Sequence, residues 1–312
     1  MPKLKPPMAA AIALLVLPAV LPWRDASAGA WRETWRQRRA IAAPADLALP
    51  AGVRVLRDVT YGSDPRQRFD VYAPPHAQHA PVIFLVHGGG WSRGDKAMRN
   101  VVQNKVARWV PRGFVVISTD YRMLPDAVPL QQAQDVAQAL ALAQRRAAEW
   151  GGDRRGFILV GHSAGAHLVA LLAAAPSIAR DRGAAPWLGT VALDSAALDV
   201  VQIMQSRHLP LYDRAFGDDR AGWLAASPLQ QLKAPAAPFL AVCSSRRASS
   251  CPQARAFVDK AVALGMRAQV LPEDLSHEQI NEQLGAPGDY TTEVETFLRS
   301  LDPDVAGALD GR

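Results

Sequence analysis

The sequence has little cysteine, no strong excess of one charge, and no long apolar stretch beyond its first 28 residues. Two cysteines in 312 residues exclude a small disulfide-rich scaffold, and 21% charged with 49% hydrophobic residues exclude a disordered or collagen-like chain. Nucleic-acid binding proteins usually carry a clustered basic patch, but here the arginines are spread along the chain without a long basic tract or interleaved aromatics. The net charge of +6 is therefore interpreted as charge distributed over a solvated surface. We therefore expect a folded globular domain with no nucleic-acid partner.

The N-terminus has the pattern of a targeting segment. Lys3 and Lys5 precede an apolar run at residues 8–21, and small residues at 26–28 provide a cleavage site. The run is shorter than the roughly 20 apolar residues that span a bilayer, so we expect no stable membrane span after cleavage. Residues 1–28 are thus predicted to be a signal peptide, and the mature protein to be exported, periplasmic or secreted.

Short apolar runs then alternate with longer segments rich in alanine and leucine, which is typical of an α/β fold with a mostly parallel, doubly wound sheet and helices on both faces. Two opening strands are predicted to form an antiparallel edge, at 53–61 and 68–72. Six parallel strands are predicted at 81–87, 114–119, 157–161, 189–194, 238–243 and 267–271. Helices are predicted at 96–111, 130–149, 164–174, 252–264 and 291–301.

This pattern predicts a single domain at residues 53–301. A leader at 29–52 precedes the domain and a tail at 302–312 follows it. The longest stretch between strands, 199–232, mixes aromatics with turn residues and is either a small cap over a pocket or an ordinary surface connection.

The segment Gly161-His162-Ser163-Ala164-Gly165 follows a buried-strand pattern and opens a predicted helix. A nucleophile elbow needs this context, because a serine on a tight strand-to-helix turn exposes its Oγ. The flanking glycines lack the bulk that would keep the strand and the helix apart. Ser163 is the candidate nucleophile.

A glycine run, His87-Gly88-Gly89-Gly90-Trp91, ends another predicted strand. Successive glycines allow backbone N–H groups to turn toward a developing alkoxide, and each such donor lowers a reaction barrier by about 3 kcal/mol. The run therefore predicts part of an oxyanion hole, with His87 itself in a structural role.

These two motifs resemble the α/β-hydrolase superfamily, and within it the esterase group with an HGGGW loop, which includes hormone-sensitive-lipase-like and feruloyl-esterase-like enzymes. The resemblance covers about residues 53–301. It implies an α/β-hydrolase fold without a cofactor and Ser163 as the nucleophile. It also implies an oxyanion hole formed by the backbone N–H groups of Gly89, Gly90 and Ala164.

The base is expected after the last strand of such a sheet. His277, in Ser276-His277-Glu278, follows the predicted strand 267–271 by a few residues and has the expected chain order after the serine. The remaining histidines fit the role less well: His76, His79, His162, His167 and His208.

The sequence departs from the family pattern at the acid. Family members usually carry an aspartate in the turn after the penultimate strand, but residues 243–251 read CSSRRASSC and contain no carboxylate. Asp194 ends the preceding strand and would lie at the same sheet edge. Asp199 and Asp274 are further candidates, and a Ser-His dyad oriented by Ser249 or water is another possibility.

Cys243 and Cys251 bracket this turn. In an exported protein, two cysteines eight positions apart are expected to form a disulfide that holds the loop. Metal binding would need more ligands than the neighbouring sequence offers.

The first functional hypothesis is a carboxylic-ester hydrolase for a small-molecule ester, with an acyl-enzyme on Ser163 and His277 as base. The second is amide chemistry by the same residues, as an amidase, peptidase or arylformamidase. The third is a catalytically weak relative that binds a ligand, suggested by the empty acid position. Five aromatic side chains are candidates for an acyl or aryl pocket, with core packing as the alternative: Trp91, Trp187, Tyr212, Phe216 and Trp223.

Overall fold

A computed structural model describes residues 1–2 and 47–311. The chain divides into two units, Met1–Ala43 and Pro44–Arg312, and all elements below belong to the second. The predicted signal peptide, except for its first two residues, lies outside the described residues, as does the leader up to residue 46. Within the described part, no helix combines the length and apolar character needed to cross a membrane.

The centre of the fold is one eight-stranded sheet with the order β1-β2-β4-β3-β5-β6-β7-β8. Its strands are β1 Arg54–Thr60, β2 Arg68–Ala73, β3 Ala80–Val86, β4 Val115–Thr119, β5 Gly152–His162, β6 Gly189–Leu193, β7 Phe239–Ser244 and β8 Ala268–Glu273. Strands β1 and β2 pair antiparallel, β2 also pairs antiparallel with β4, and the other pairs are parallel. The predicted antiparallel edge and six parallel strands are confirmed.

The helices alternate with the strands along the chain. They are α1 Arg99–Trp109, α2 Pro129–Arg146, α3 Ala164–Ala174, α4 Ser177–Arg180, α5 Val200–Met204, α6 Pro210–Phe216, α7 Arg220–Ala225, α8 Pro228–Gln231, α9 Ser250–Ala263, α10 His277–Gln283, α11 Asp289–Arg299 and α12 Pro303–Leu309. The five predicted helices match α1, α2, α3, α9 and α11 within a few residues. The short helices α4 to α8 and α10 were not predicted, because four to seven residues carry too little periodicity to detect.

Both faces of the sheet are covered by helices. Alternate residues of β3 enter two different apolar clusters: Phe84 packs on the side of α2 and α3, whereas Ile83 packs on the side of α1 and α11. All seven residues of β3 are buried, as expected for a central parallel strand with no solvent-facing side. The continuous apolar runs of the sequence thus correspond to doubly covered strands.

The C-terminal segment differs from the expectation of a tail at residues 302–312. Helix α12 lies within it, and its Val305 and Leu309 are buried in the same apolar cluster as Leu298 of α11. Asp302 caps α12 by accepting a hydrogen bond from the Asp304 N–H at 2.8 Å. The segment is part of the folded unit because its two apolar side chains are one helical turn apart and face the core.

Strands β5, β6, β7 and β8 lie side by side and parallel, so their carboxyl ends meet at one edge of the sheet. The residues that follow these strands include Ser163, Asp194, the turn at 245–249, and His277. This edge is where ligands bind in open α/β sheets.

Candidate active site

Ser163 lies between the last residue of β5 and the first residue of α3, with a positive φ of 56°. Its N–H donates to the Leu193 carbonyl at 2.9 Å, which ties the turn to the end of β6. A Cβ added to Gly161 would lie 2.4 Å from the Gly165 oxygen, and one added to Gly165 would lie 2.2 Å from the Val86 oxygen. Only glycine at both positions permits this close approach of strand and helix.

His277 is the first residue of α10, and its ring faces the serine. The preceding residue, Ser276, caps the helix by accepting a hydrogen bond from the Gln279 N–H at 3.2 Å. His277 Nε2 lies 2.9 Å from Ser163 Oγ. This distance allows the serine hydroxyl to donate its proton to the imidazole.

Asp194 directly follows β6 and contacts His277 on the side of the ring away from Ser163. Its Oδ2 lies 2.6 Å from His277 Nδ1, and its side chain is fully buried. A carboxylate on this side of the ring accepts the Nδ1–H and leaves Nε2 free to receive the proton of Ser163. The structure therefore brings together the three side chains that the sequence offered as nucleophile, base and acid.

The segment from the last residue of β7, Ser244, to the first residue of α9, Ser250, contains no carboxylate but supplies donors to Asp194. The Ser244 N–H donates to Oδ1 at 2.7 Å, the Ser250 hydroxyl donates to the same oxygen, and Arg247 Nη1 donates to Oδ2 at 2.5 Å. Burial opposes ionisation of Asp194, but the hydrogen bonds from His277, Ser250 and Ser244 and the charge of Arg247 outweigh it. They hold the pKa of the carboxyl below its usual range.

The other acid candidates are engaged elsewhere. Asp199 accepts from the Gln202 N–H and caps α5, and Asp274 is largely exposed and pairs with Arg246 at 2.8 Å. Ser249, the residue considered for a dyad, is exposed, and its neighbour Ser250 makes the bond to Asp194.

A disulfide joins Cys243, in β7, to Cys251, in α9. The pairing agrees with the expectation from their spacing. Both cysteines are buried, and the bridge closes the base of the turn that carries Ser244, Arg247 and Ser250. The bridge thus restrains the segment that surrounds the acid.

The glycine loop after β3 packs against the elbow. Gly89 and Gly90 have positive φ values of 123° and 60°, and a Cβ on Gly88 would lie 3.0 Å from Ser163 Cβ. Among the described residues, no acceptor engages the backbone N–H groups of Gly89, Gly90 or Ala164. These three donors are therefore available for an oxyanion beside Ser163, as the resemblance implied.

Three of the five candidate aromatic residues form a group beside this loop. The ring of Trp91 lies 5.9 Å from that of Tyr212 and 5.1 Å from that of Phe216. Trp187 does not belong to the group, because it precedes β6 at the opposite edge of the sheet and donates to Thr190 Oγ1 at 2.9 Å. For Trp187 the structure therefore agrees with the alternative of core packing. Trp223 donates to the Gly217 carbonyl at 2.9 Å and packs on the core.

His167 links the aromatic group to residues 199–232. Burial lowers its pKa to about 4, so the ring is neutral near pH 7. Its Nδ1 accepts from the Trp91 indole at 3.2 Å, and its Nε2–H donates to the Ala226 carbonyl at 2.8 Å.

His162 and Lys105 support the helix that begins at His277, and the sequence reasoning missed both. The His162 Nε2–H donates to the His277 carbonyl at 2.9 Å, and burial with the neighbouring imidazole lowers the pKa of His162 to about 3. Lys105 of α1 is buried, donates to Asn281 Oδ1 at 3.0 Å, and has its pKa lowered to about 7 by burial. A sequence signal existed only for His162, as the residue before the serine.

Residues 47–311 contain no grouping of three or more histidine, cysteine or carboxylate side chains suited to a metal ion. The groups that the structure places at this site are Ser163, His277, Asp194 and the backbone donors. This set can form a covalent bond from a serine to an acyl carbon and can stabilise the resulting oxyanion.

Parts of this chain are similar to known proteins. The family described as BD-FAE matches residues 69–185. Esterase LipC from Mycobacterium tuberculosis is 29% identical over 237 residues, which are 69% of this chain and 56% of the relative. A probable isoprenylcysteine alpha-carbonyl methylesterase, ICMEL1, from Oryza sativa is 36% identical over 118 residues, 38% of this chain and 27% of the relative. The chain spans about a quarter of the length of one of these curated relatives and just over half of the other.

Solved structures share the fold. Esterase B from Lactobacillus rhamnosus has a TM-score of 0.68 at 21% identity, covering 89% of this chain and 94% of the other. Thermogutta terrifontis esterase 2, phosphonylated by sarin, has a TM-score of 0.65 at 19% identity, covering 80% and 95%. The sheet order and these structures show an α/β-hydrolase fold, and residues 69–185 are similar to the BD-FAE family.

Proposed function

We propose that this protein hydrolyses carboxylic esters through an acyl-enzyme on Ser163. The observation that carries the proposal is the continuous series of contacts from Ser163 Oγ to His277 Nε2, at 2.9 Å, and from His277 Nδ1 to Asp194 Oδ2, at 2.6 Å. The esterase names of the curated relatives support the same reaction class.

In the first half-reaction, Ser163 Oγ attacks the ester carbonyl carbon while its proton moves to His277 Nε2. The tetrahedral oxyanion accepts hydrogen bonds from the N–H groups of Gly89, Gly90 and Ala164. Collapse breaks the bond to the alcohol, which takes the proton from Nε2. Water then attacks the acyl carbon while one of its protons moves to Nε2. Collapse breaks the bond to Ser163 Oγ, which takes the proton back from Nε2 as the acid leaves, and Asp194 stabilises the imidazolium in both halves.

The substrate we propose is a small-molecule ester with an apolar or aromatic group. The rings of Trp91, Tyr212 and Phe216 lie beside the glycine loop and provide apolar surface for such a group. Helix α6 carries two of these rings, so we propose that residues 199–232 act as a small cap that remains packed on the domain core.

Two alternatives differ in the chemistry of the substrate. Amide cleavage uses the same three side chains, and hydrolysis of p-nitroacetanilide at a rate above that of the matching ester would favour it. A ligand-binding protein without activity was suggested by the lack of a carboxylate after β7. The contact between Asp194 and His277 removes the reason for that alternative.

The experiment is labelling with a p-nitrophenyl alkylphosphonate combined with a p-nitrophenyl acetate assay. We expect one phosphonate adduct per chain, located on the peptide that contains Ser163, and loss of hydrolysis in proportion to labelling. Stable phosphonylation needs both an activated serine and oxyanion donors, so a merely exposed serine would not react. Hydrolysis that survives complete labelling, or an adduct on another residue, would contradict the proposal.

Replacing His162 by phenylalanine is expected to lower kcat by about 10- to 100-fold with a smaller change in KM. Phenylalanine keeps an aromatic ring against His277 but removes the N–H that holds its carbonyl, so the start of α10 can shift relative to Ser163. Steady-state kinetics on p-nitrophenyl acetate measure the effect. His76→Phe is the matched control, since His76 is exposed in the connection between β2 and β3, outside the series of contacts. Equal kcat in the two variants would show that His162 does not position the base.

We also propose that the protein is exported. Support comes from the signal-like sequence of residues 1–28 and from the disulfide between Cys243 and Cys251, which persists in oxidising compartments. Fractionation of cells that produce the full chain, with N-terminal sequencing of the mature form, tests this assignment.

A further inference from the structure

Arg247 lies in the turn after β7, at the place where family members usually carry the acid. One nitrogen of its guanidinium, Nη1, lies 2.5 Å from Asp194 Oδ2, 3.0 Å from the Asp194 carbonyl oxygen and 2.9 Å from His277 Nδ1. The side chain is 31% exposed. A cation therefore touches both the acid and the base of the proposed triad.

Arg247 donates hydrogen bonds to the oxygens of Asp194, but its contact with the imidazole brings two donors together. A guanidinium only donates hydrogen bonds, and His277 Nδ1 is itself a donor when it gives its proton to the carboxylate. Two donors thus meet at the same oxygen, Oδ2, and the positive ends of their N–H bonds lie next to each other. When His277 accepts the proton of Ser163, a second positive charge forms at this distance.

The other groups around His277 leave Arg247 as its main positive neighbour. The ring of His162, from β5, lies 4.5 Å from that of His277 in a tilted arrangement and is neutral, since its pKa is about 3. Arg246 is paired with Asp274, and Lys105 of α1 lies against Asn281 at the other end of α10. Glu278 bonds to the Ser276 hydroxyl. Within the described residues, Arg247 is the one permanently charged cation in contact with the imidazole.

We propose that Arg247 is a positioning residue that shares Asp194 with His277 and keeps the imidazole neutral at lower pH than an Asp-His pair alone would. Sharing weakens the pull of the carboxylate on the imidazolium and adds direct repulsion. With Arg247 in place, the base can then accept the proton of Ser163 at a lower pH than without it. This inference rests on the proposed function.

A purely structural role makes a different prediction. Arg247 also bonds to the Asp194 carbonyl and could serve only to hold the turn. Loss of such a tether would lower activity by a similar factor at every pH and leave the protonation of His277 unchanged. The pH dependence separates the two roles.

The experiment compares Arg247→Gln and Arg247→Met, which remove the charge, with Arg247→Lys, which keeps it. In a Ser163→Ala background, NMR follows the His277 ring signals through a pH titration, with His277→Gln used to assign them. We expect the titration midpoint to rise by about one pH unit in both uncharged variants and by less than half of that in the lysine variant. In the protein with Ser163, kcat/KM is measured as a function of pH. The midpoint of its fall at low pH should rise by the same amount, and KM for a neutral ester should stay nearly constant.

A midpoint that stays at the parent value in a folded glutamine or methionine variant would overturn the inference. Near-ultraviolet circular dichroism checks the fold, and two uncharged variants of different shape guard against a local collapse of one of them. The titration needs no turnover. Absence of ester hydrolysis would therefore contradict the proposed function alone, and an unchanged titration with normal hydrolysis would contradict this inference alone.

Discussion

Alanine at position 163 is expected to lower kcat for p-nitrophenyl acetate by about 10⁶-fold, and alanine at position 277 by a similar factor. Both substitutions remove a step that the remaining groups cannot replace: without Ser163 no acyl-enzyme forms, and without His277 the hydroxyl 2.9 Å away keeps its proton. Because the two side chains act in one step, the double variant should be about as active as either single variant.

The measurement is steady-state kinetics normalised to the concentration of active sites. The background from contaminating host esterase is measured on a tagged inactive copy purified from the same host. Ser63→Ala and His76→Ala are matched controls, since both residues are exposed and lie outside the series of contacts and the proposed cap. Loss of less than a hundredfold in Ser163→Ala would place the nucleophile elsewhere.

Replacing Asp194 by asparagine is expected to lower kcat by about 10⁴-fold. The Ser244 N–H and the Ser250 hydroxyl both donate to Oδ1, so the asparagine oxygen will take that side and its NH₂ will face His277. The NH₂ donates to Nδ1 and favours the imidazole form that carries its proton on Nε2. That form cannot accept the proton of Ser163, and Arg247 loses its carboxylate at the same time.

Asp274→Asn and Asp199→Asn are the controls for this second prediction, because they change the two other carboxylates that the sequence offered. Both should retain nearly full kcat, since Asp274 is exposed and paired with Arg246 and Asp199 caps a helix. If Asp274→Asn loses activity while Asp194→Asn keeps it, the acid assignment is wrong.

The sequence alone was sufficient to predict those features whose backbone conformation is determined by residues close together in the chain. The elbow around Ser163 and the glycine run at 87–91 are local patterns, because the backbone shape that each needs is encoded within five residues. The parallel strands were predictable because a strand covered on both faces is continuously apolar. Asp194 was a candidate for the same reason: it ends such a strand.

Contacts between distant segments were not predictable in this way. Asp194 and His277 are 83 residues apart, and only the order of the sheet decides that their strand ends are near each other. The role of the turn after β7 was hidden as well. Its lack of a carboxylate was visible, but its use of Ser244, Arg247 and Ser250 as donors depends on where β6 ends.

The backbone conformation at this site also bears on how the protein can evolve. Three of the five described non-glycine residues with positive φ border the site: Trp91, Ser163 and Asp194. Left-handed backbone costs such residues on the order of 1 kcal/mol each, so the fold is less stable than a relaxed version of itself. Variants selected for heat resistance alone should accumulate glycine at position 163 and lose their chemistry. We therefore expect selection for activity to maintain serine at this position of positive φ.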